Sequence, residues 1–409
     1  MVIIGGGKAG ARAAVGLREQ GHEGAITLIT GEAHAPYDRP PLSKAVITDE
    51  QEPLPPYLTD IDTLASIQVS LITSNLAVSV DCAAKTIKLE SGTIVPYDKL
   101  LIATGAVPRR LDLPGAESSL VRYLRTFEDA MALRGAILPG KRIIIIGGGF
   151  IGLEVASSAR KRGAEVTLIE GLPRVLARGV PEEIAAVVTE RHRAEGVDLR
   201  TATGITGFEE VNGDITVKLA DGSSVQGDLV LVGIGAMPVT ALAEQAGLAI
   251  DNGIAVDDEL RTSDPDIYAA GDCVSFPLSV YGGRRVRLES WRSAQDQGEL
   301  AAANMLGKTR KLVTVPWFWS DQYELTLQIA GLQDEAATHV RRDLPGDAFI
   351  IFHLASDGRL VAASGIGIGN AVAKDIRLAE MIIGKALKPA LEQLADPAVN
   401  LKRLLSPAN

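Results

Sequence analysis

Two copies of one glycine fingerprint constrain the fold of this chain more than any other feature. The first copy, Gly5-Gly6-Gly7-Lys8-Ala9-Gly10, follows the apolar run Val2-Ile3-Ile4. The second copy, Gly147-Gly148-Gly149-Phe150-Ile151-Gly152, follows the run from Ile143 to Ile146. Each copy has glycine at its first, third and sixth positions and leads into a stretch with the pattern of a helix. Such glycines allow a tight turn and let backbone N–H groups approach a pyrophosphate at a helix N-terminus.

The repeat extends beyond the glycines. Thr86 to Gly92 (TIKLESG) is echoed by Thr216 to Gly222 (TVKLADG), and Leu101 to Pro108 (LIATGAVP) by Leu231 to Pro238 (LVGIGAMP). One fingerprint alone is weak evidence, but two in ordered repeats predict two dinucleotide-binding units of the same plan. The simplest reason to hold two dinucleotides in one chain is electron transfer between them.

Composition agrees with a packed α/β protein. Hydrophobic residues make up 46% of the 409 residues and charged residues 22%, and the net charge is −10. This charge argues against bulk binding to nucleic acid or to an anionic membrane. The longest apolar run, Ile143 to Leu153, is broken by glycines and is too short for a membrane span. Met1 leads directly into a strand, so we expect no signal peptide and a cytoplasmic protein.

The two cysteines, Cys82 and Cys273, lie far apart in the sequence and form no C-x-x-C pair. They are expected to be ordinary reduced thiols. The five histidines, His22, His34, His192, His339 and His353, are scattered without metal-ligand spacing. We therefore predict no metal, no iron–sulfur centre and no redox disulfide in this chain.

Glu170 ends the second strand of the second unit, 23 residues after Gly147, the first glycine of the fingerprint. A carboxylate at this position accepts hydrogen bonds from the adenosine ribose and repels a 2′-phosphate, so the sequence favours NADH over NADPH. A solvated strand-end glutamate is the alternative. Arg174 and Arg178 follow and are candidates for the adenine side or the pyrophosphate, or are surface arginines. In the first unit the strand ends at Gly31, and Glu32 is the candidate ribose contact unless the backbone supplies it.

The chain resembles the NADH-dependent ferredoxin reductases that serve oxygenases, of the putidaredoxin reductase and biphenyl dioxygenase reductase type. The resemblance runs from residue 2 to about residue 330, and Gly31 departs from it because the family has an acidic residue there. The matching segments, beside the second fingerprint through Glu154, are Pro36 to Lys44 (PYDRPPLSK), Tyr123 to Thr126 (YLRT), Tyr268 to Asp272 (YAAGD), Glu289 to Trp291 (ESW) and Pro316 to Asp321 (PWFWSD).

The resemblance implies FAD on the first unit and NADH on the second. The implied FAD contacts are Gly5, Gly7, Ala9, Gly10, Arg39, Lys44, Thr104, Gly105, Arg125, Asp272 and Trp291, and Glu32 is added to them as the ribose candidate taken from the residues themselves. The candidate NADH contacts are Gly147, Gly149, Ile151, Gly152, Glu170, Arg178 and Gly235. Asp272 is expected at a helix start near the ribityl or phosphate oxygens, whereas pattern alone also allows a turn and an N-cap.

Lys44 and Glu154 are the implied catalytic pair. In the family, the lysine lies near the reactive edge of the flavin and the glutamate near the flavin–nicotinamide contact, where the two can pair. Glu154 could also be a first-turn glutamate favoured by the helix dipole. Hydride transfer needs positioning more than acid–base help.

The three tryptophans, Trp291, Trp317 and Trp319, lie in one short stretch together with Phe318 and Tyr323. This clustering indicates an aromatic wall beside a planar cofactor or an exposed route to a partner, with aromatic core as the alternative. Nearby basic residues are candidates for docking an acidic partner or are solvated loop charges: Arg284, Arg285, Arg287, Lys308, Arg310 and Lys311.

The predicted fold is α/β, with two Rossmann-like domains in a glutathione-reductase-like arrangement and a C-terminal α/β domain. We expect residues 1–108 and 239–315 to form a discontinuous FAD domain, residues 109–238 an inserted NADH domain, and residues 316–409 a domain that covers the flavin. In the last domain, strands are expected at 348–354 and 359–363 and a helix at 371–383.

The predicted function is NADH:ferredoxin oxidoreduction, in which electrons pass from NADH through FAD to a small iron–sulfur ferredoxin that feeds an oxygenase, the protein being a monomer or weak homodimer. The cysteines exclude a disulfide reductase. An NADH oxidase usually has a cysteine after the PPLSK-like segment, where this chain has Ser43-Lys44. A membrane quinone reductase needs an amphipathic C-terminal anchor, and Asp396-Pro397 and Ser406-Pro407 break the tail. A non-enzymatic dinucleotide-binding signalling protein does not require the Lys44 and Glu154 pair.

Overall fold

The computed structural model describes residues 1–405 and divides them into two compact units. Unit 1 contains residues 1–38, 55–107 and 237–318, and unit 2 contains residues 39–54, 108–236 and 319 onwards. The three-domain division predicted above stays a prediction. The Ser406-Pro407 break lies outside the described residues.

Unit 1 is built on a five-stranded parallel sheet. In spatial order its strands are Ile267–Ala269, Leu100–Ile102, Val2–Ile4, Ile26–Ile29 and Val69–Ile72. The strand Val2–Ile4 is central and completely apolar, as expected for a parallel sheet buried on both faces. Its carboxyl end runs directly into the first fingerprint, which places the fingerprint at the carboxyl edge of the sheet, where ligands bind in folds of this type.

Two smaller three-stranded sheets complete unit 1. One consists of Ala77–Asp81, Thr86–Leu89 and Ile94–Pro96, and the other of Ile254–Ala255, Val274–Leu278 and Arg284–Val286. The helices of this unit are Lys8–Glu19, Ile61–Ser66, Ala241–Gln245 and Trp291–Met305, with a 3₁₀ turn at Ser279–Tyr281. Helices Lys8–Glu19 and Trp291–Met305 pack closely, because Gly298 lies against the backbone of Ala9, where a Cβ would come within 2.3 Å of the carbonyl oxygen.

Unit 2 contains a second parallel sheet of the same plan. Its strands are, in spatial order, Val197–Arg200, Glu165–Ile169, Arg142–Ile146, Leu229–Val232 and Val121–Arg122. A three-stranded antiparallel sheet follows with Ile205–Val211, Asp214–Leu219 and Ser224–Gly227. Two short strands, Ala106–Pro108 and Ala236–Pro238, lie where the chain passes from one unit to the other. The repeat read from the sequence is therefore a repeat of topology.

The C-terminal part of unit 2, from Trp319 onwards, forms most of a five-stranded sheet, in which the four strands after Trp317–Gln322 pair antiparallel. In spatial order its strands are Trp317–Gln322, Leu325–Gly331, Leu360–Ile368, Phe349–Leu354 and Thr338–Asp343. Apolar side chains of this sheet, including Leu327, Phe349 and Ile351, share one core cluster with the parallel sheet of the same unit. The fold class predicted from the sequence, with two Rossmann-type halves and a C-terminal α/β part, is confirmed.

The helices of unit 2 include those that carry and support the second fingerprint. They are Ala45–Thr48, Phe127–Ala136, Phe150–Lys161, Glu182–Ala194, Ala373–Gly384 and Leu391–Ala395, with 3₁₀ turns at Pro40–Ser43, Gln333–Glu335 and Leu401–Leu405. The helix Phe127–Ala136 begins with a capping box in which Thr126 and Asp129 bond each other's backbone N–H groups.

One strand is longer than predicted. The strand expected to end at Ala363 continues to Ile368 through Ser-Gly-Ile-Gly-Ile. The glycines look like a break in the sequence, but they make room for neighbours. A Cβ on Gly365 would meet Val372 at 3.0 Å, and one on Gly367 would meet Ala348 at 2.7 Å. Gly365 and Gly367 therefore keep the sheet regular while the start of the helix Ala373–Gly384 packs against it.

Candidate active site

The first fingerprint of unit 1 combines two tightly packed glycines with one open glycine. Gly5 has φ +119°, and a Cβ there would lie 2.0 Å from the carbonyl oxygen of Ala103. A Cβ on Gly10 would lie 1.9 Å from the carbonyl oxygen of Gly5. Gly7 caps the helix Lys8–Glu19, and a Cβ on it would meet no atom within 4 Å. Gly5 and Gly10 are thus required by packing, while Gly7 faces open space.

The second fingerprint, in unit 2, repeats this geometry. A Cβ on Gly147 would lie 2.4 Å from the carbonyl oxygen of Gly233, and one on Gly152 would lie 2.1 Å from that of Gly147. Gly149 caps the helix Phe150–Lys161, and the nearest atom to its Cβ position is 4.0 Å away. An open third glycine at a helix N-terminus leaves backbone N–H groups accessible to a pyrophosphate. The residues present therefore fit one dinucleotide in each unit.

Other residues that were predicted to contact FAD from unit 1 surround the carboxyl edge of its sheet. Thr104 donates through Oγ1 to the carbonyl of Val239 at 2.7 Å, and Gly105 adopts φ +70°. Glu32 accepts a hydrogen bond from the hydroxyl of Tyr37. A Cβ on Gly31 would lie 2.3 Å from a Leu76 methyl group. Leu76 is 55% exposed, so its side chain has room to move away from a larger residue at this position.

Asp272 was expected at a helix start, but no helix begins there. It lies in a turn between the strands Ile267–Ala269 and Val274–Leu278. Apolar and β-branched residues after Cys273 continue the chain as a strand instead of a helix. The preceding residue, Gly271, has φ +88° and donates its N–H to Gln297 Oε1 at 2.7 Å. The expected helix start is therefore wrong, because the chain makes a turn here, and the contact of Asp272 with FAD stays a prediction.

Trp291 begins the helix Trp291–Met305, which Ser290 caps. Its indole Nε1 donates to Asp38 Oδ1 at 2.6 Å, and the ammonium of Lys8 lies 3.8 Å from its ring centroid. The side chain is therefore fixed beside the first fingerprint by contacts within unit 1. The guanidinium of Arg292 lies 5.8 Å from the ring centroid of Trp317, and Trp319 donates to Asp321 at 3.1 Å. All three tryptophans are half-buried, and their role as an aromatic wall stays a prediction.

Glu170, the predicted ribose contact in unit 2, lies directly beside the second fingerprint. One carboxylate oxygen accepts the N–H of Gly148 and the other accepts the N–H of Leu172, each at 2.7 Å. These contacts fix the carboxylate at the carboxyl edge of the sheet. Arg174 donates to backbone carbonyls of its own loop, including that of Val180 at 3.0 Å. Of the two predicted arginines, Arg178 is exposed and remains the candidate for the nucleotide.

We predict that Glu170→Gln lowers the preference for NADH over NADPH by about tenfold. The amide keeps the shape of the side chain but loses the negative charge that repels a 2′-phosphate, and a hydrogen bond to a charged group contributes roughly 1.5–3 kcal/mol. The measurement is kcat/KM for both coenzymes with ferricyanide as acceptor. An unchanged coenzyme ratio rejects the assignment of Glu170.

Lys44 and Glu154 lie in contact within unit 2. The ammonium of Lys44 is 2.8 Å from Glu154 Oε2, and Ser43 Oγ donates to the same oxygen at 2.5 Å. The other oxygen, Oε1, accepts from Ser320 Oγ at 2.6 Å. Glu154 is only 5% exposed. Three donors to the two oxygens fix the orientation of this buried carboxylate and satisfy its hydrogen-bonding capacity.

The explanation of Glu154 as a first-turn residue is wrong. The helix Phe150–Lys161 has no acidic residue in its first turn, and Glu154 lies in the second turn, beyond the reach of the dipole effect. Its position is explained by its three side-chain partners. Ser43 and Ser320 were not among the predicted site residues. The signal for Ser320 was a polar residue in the aromatic segment Trp317–Gln322, where side chains alternate between two faces.

The remaining predicted contacts of unit 2 lie on the same helices and loops. Arg39 donates to the backbone carbonyl of Arg125 at 2.6 Å. Ile151 is 46% exposed in the first turn of the fingerprint helix. Gly235 has φ +106° and no atom within 4 Å of its Cβ position. Ile151 and Gly235 therefore offer open surface in unit 2.

The basic residues predicted to dock an acidic partner form the basic patch, which consists of Arg284, Arg285, Arg287, Lys308, Arg310 and Lys311. Several of them have partners within unit 1. Lys311 lies 2.8 Å from Asp258, Arg287 pairs with Glu289, and Arg285 lies 3.5 Å from Asp251. Lys308 donates to the side-chain oxygen of Gln20 at 3.1 Å. Because this amide is neutral, the contact does not compensate the positive charge of Lys308. Arg310 is exposed. The positive field of the patch is thus weaker than the sequence suggested and is best represented by Lys308 and Arg310.

Cys82 and Cys273 are both free thiols. Burial raises the pKa of each thiol, which disfavours the reactive thiolate. We expect the double variant Cys82→Ser with Cys273→Ser to keep FAD and most NADH-dependent reduction of ferricyanide. Loss of turnover in a folded, flavin-containing variant shows instead that a thiol takes part in the reaction.

Within residues 1–405, no three His, Cys, Asp or Glu side chains come together as potential metal ligands. Across the same part of the chain, no helix combines the length and apolar character needed to cross a membrane.

The fingerprints at residues 5–10 and 147–152 form two dinucleotide cradles, each on a parallel sheet of the same plan. Together with the Lys44–Glu154 pair in unit 2, they define an oxidoreductase that uses two dinucleotides. A family model described as pyridine nucleotide-disulphide oxidoreductase matches residues 1–298, and one described as reductase C-terminal matches residues 317–405. The chain belongs to the pyridine nucleotide-disulphide oxidoreductase family.

Similar proteins match over the whole chain. The anthranilate 1,2-dioxygenase system ferredoxin–NAD(+) reductase component of Burkholderia cepacia is 38% identical, over 99% of this chain and 98% of that protein. The ferredoxin reductase for the CYP199A2 system from Rhodopseudomonas palustris has a TM-score of 0.93 at 36% identity, over 99% of each chain. The reductase in a covalent putidaredoxin reductase–putidaredoxin complex has a TM-score of 0.91 at 35% identity, over 99% of this chain and 97% of that chain.

Proposed function

We propose that this chain is an FAD-dependent NADH:ferredoxin oxidoreductase that supplies electrons to an oxygenase through a small iron–sulfur ferredoxin. The observation that carries the proposal is the pair of matching cradles, each with an open third glycine at a helix N-terminus. The full-length similarity to reductases named for ferredoxin and NAD(+) supports the choice of partner.

The two cradles are assigned by what accompanies each. FAD belongs to unit 1, where Trp291, Thr104 and Gly105 accompany the first fingerprint. NADH belongs to unit 2, where Glu170 stands beside the second. FAD, when bound, takes two electrons as a hydride from NADH and releases them singly, which suits an iron–sulfur acceptor.

The chain itself contributes binding, orientation and charge. Gly7 and Gly149 leave backbone N–H groups open to the two pyrophosphates. Lys44 contributes a cation fixed by Glu154 at 2.8 Å. Holding reacting groups in the correct geometry lowers the barrier of a reaction. We propose Lys44 and Glu154 as the catalytic pair on this ground.

Rival functions have less support. Ser43 donates to Glu154 where an NADH oxidase usually has a cysteine, and a signalling protein has no need of the Lys44 and Glu154 contact. We keep the three-domain division, a cytoplasmic location where NADH is supplied, and a monomer or weak homodimer as part of the proposal.

The test is reduction of cytochrome c by the purified protein with NADH, with and without a small oxygenase ferredoxin. We expect turnover to depend on the added ferredoxin. Equal rates with and without ferredoxin contradict the proposed partner, and rapid quinone or oxygen reduction without it favours the rival classes.

We predict that charge reversal at Lys308 and Arg310 raises the KM for ferredoxin several-fold and leaves ferricyanide reduction unchanged. The net charge is −10, so an acidic partner must approach through a local basic surface. Salt screens such steering with a Debye length of about 8 Å at physiological ionic strength. The measurement is a pair of steady-state titrations, with ferredoxin and with ferricyanide, at low and moderate salt. The same salt dependence for both acceptors places the docking surface elsewhere.

A further inference from the structure

A continuous row of buried polar side chains extends from Glu154 into the interior of unit 2. Ser320 Oγ lies 2.6 Å from Glu154 Oε1, Gln322 Nε2 lies 3.3 Å from Ser320 Oγ, and His192 Nε2 lies 3.0 Å from Gln322 Oε1. The four residues are 5%, 1%, 3% and 0% exposed, in the order Glu154, Ser320, Gln322, His192. The row joins the fingerprint helix, the strand Trp317–Gln322 and the helix Glu182–Ala194.

Every hydrogen bond in this row points toward Glu154. The carboxylate can only accept, so Ser320 donates its single hydroxyl proton to it and accepts from the Gln322 amide N–H. The Gln322 carbonyl oxygen then faces His192, and the His192 ring must donate from Nε2. Burial lowers the pKa of His192 to about 4, so the ring is neutral at neutral pH. Its other nitrogen, Nδ1, is buried without a hydrogen-bond partner, as expected for the tautomer with the proton on Nε2.

Stability alone does not call for such a row. Apolar side chains of similar volume at Gln322 and His192 avoid the cost of burying polar groups. Aligned donors polarise one another in a low-dielectric interior and strengthen the last bond of the row. That last bond is made to Glu154 Oε1, while Lys44 and Ser43 hold Oε2. Each oxygen of the carboxylate is thus fixed from a different part of unit 2.

We propose that Ser320, Gln322 and His192 are positioning residues that hold the Glu154 carboxylate, and through it the Lys44 ammonium, in one orientation for hydride transfer. This proposal rests on the proposed function. Ser320 acts directly on Glu154, and the other two residues act through Ser320.

The experiment compares Ser320→Ala, Gln322→Met and Ser320→Thr with Ser364→Ala. Ser364 is a suitable control because it is a fully buried serine of the same sheet, and its hydroxyl has no partner. Anaerobic stopped-flow measurement gives the limiting rate of flavin reduction and the Kd for NADH. Thermal unfolding reports stability. Nitrogen-15 NMR of the histidine-labelled protein, which has five histidines, reports the tautomer of His192.

We expect Ser320→Ala to lower the limiting rate about tenfold, the effect of losing one hydrogen bond to a charged group. The Kd for NADH should change less than twofold. Gln322→Met should lower the rate less, Ser320→Thr should restore most of it, and Ser364→Ala should leave both constants unchanged. His192 should carry its proton on Nε2 in the wild-type protein and lose that signature in Gln322→Met.

An unchanged limiting rate in Ser320→Ala overturns the proposal, as does an equal loss in Ser364→Ala. A His192 proton on Nδ1 also overturns it, because the row then does not point toward Glu154. These outcomes are separable from failure of the proposed function. If NADH does not reduce the wild-type flavin, the proposed function is wrong. If the wild-type flavin is reduced normally and the variants are unaffected, only the positioning role of Ser320, Gln322 and His192 is rejected.

Discussion

Valine in place of Gly149 is expected to weaken NADH binding by roughly two orders of magnitude while leaving the flavin bound. A Cβ at this position meets no atom closer than 4.0 Å, and the extended backbone with φ −81° accepts any residue. The variant should therefore fold normally, but its side chain occupies the space that the pyrophosphate needs. Losing two charge-assisted hydrogen bonds weakens NADH binding by roughly a hundredfold or more. The measurements are FAD content and the Kd for NADH.

Gly7→Val is the matched variant in unit 1. A Cβ on Gly7 meets no atom within 4 Å, and the backbone there has φ −82°. The variant should therefore fold but bind little FAD. The pair of variants separates the two assignments, because one loses the flavin and the other keeps it. If Gly149→Val loses FAD and Gly7→Val retains it, the two dinucleotides have been assigned to the wrong units.

Lys44→Met is expected to lower the limiting rate of flavin reduction by tenfold to about a hundredfold. The substitution removes the cation and leaves Glu154, which is 5% exposed, as an uncompensated buried charge. The cost in stability should be about 2–3 kcal/mol, below the 3–5 kcal/mol of a fully buried pair, because Lys44 is 26% exposed. Stopped-flow reduction and chemical unfolding measure the two effects separately.

The double variant Lys44→Met with Glu154→Leu provides the control. It removes both charges, so most of the lost stability should return while the rate stays low. Recovery of the rate together with stability shows that the pair has only a structural role. A single Lys44→Met variant that is reduced as fast as the wild type contradicts the assignment of Lys44 as catalytic.

The features predictable from sequence were those with strict local geometry. At Gly10 and Gly152, any Cβ would lie about 2 Å from a backbone carbonyl oxygen, so only glycine fits. This requirement produces the fixed glycine spacing of the fingerprint, which can be recognised in the sequence. The paired parallel sheets followed from the apolar runs before each fingerprint. Glu170 was also predictable, because it must lie at the end of the next strand.

The features missed depend on contacts between segments distant in sequence. Ser320 and Gln322 show only alternation along one strand, and their importance comes from Glu154 and His192, which lie on other elements. Asp272 was misplaced because Gly-Asp precedes helices and turns alike. The turn was decided by Cys273 and the strand that follows. Arg174 was left open between a nucleotide contact and a surface arginine, and its hydrogen bonds to carbonyls of its own loop could not be anticipated from the sequence.

An anaerobic titration of the purified protein with NADH, followed by flavin absorbance, shows whether the chain binds FAD and whether NADH reduces it. We predict that the protein carries one FAD, that about one equivalent of NADH bleaches the flavin absorbance because a hydride delivers two electrons, and that NADPH does so far more slowly. A protein that binds no flavin, or a bound flavin that stays oxidised in the presence of NADH, contradicts the proposed function.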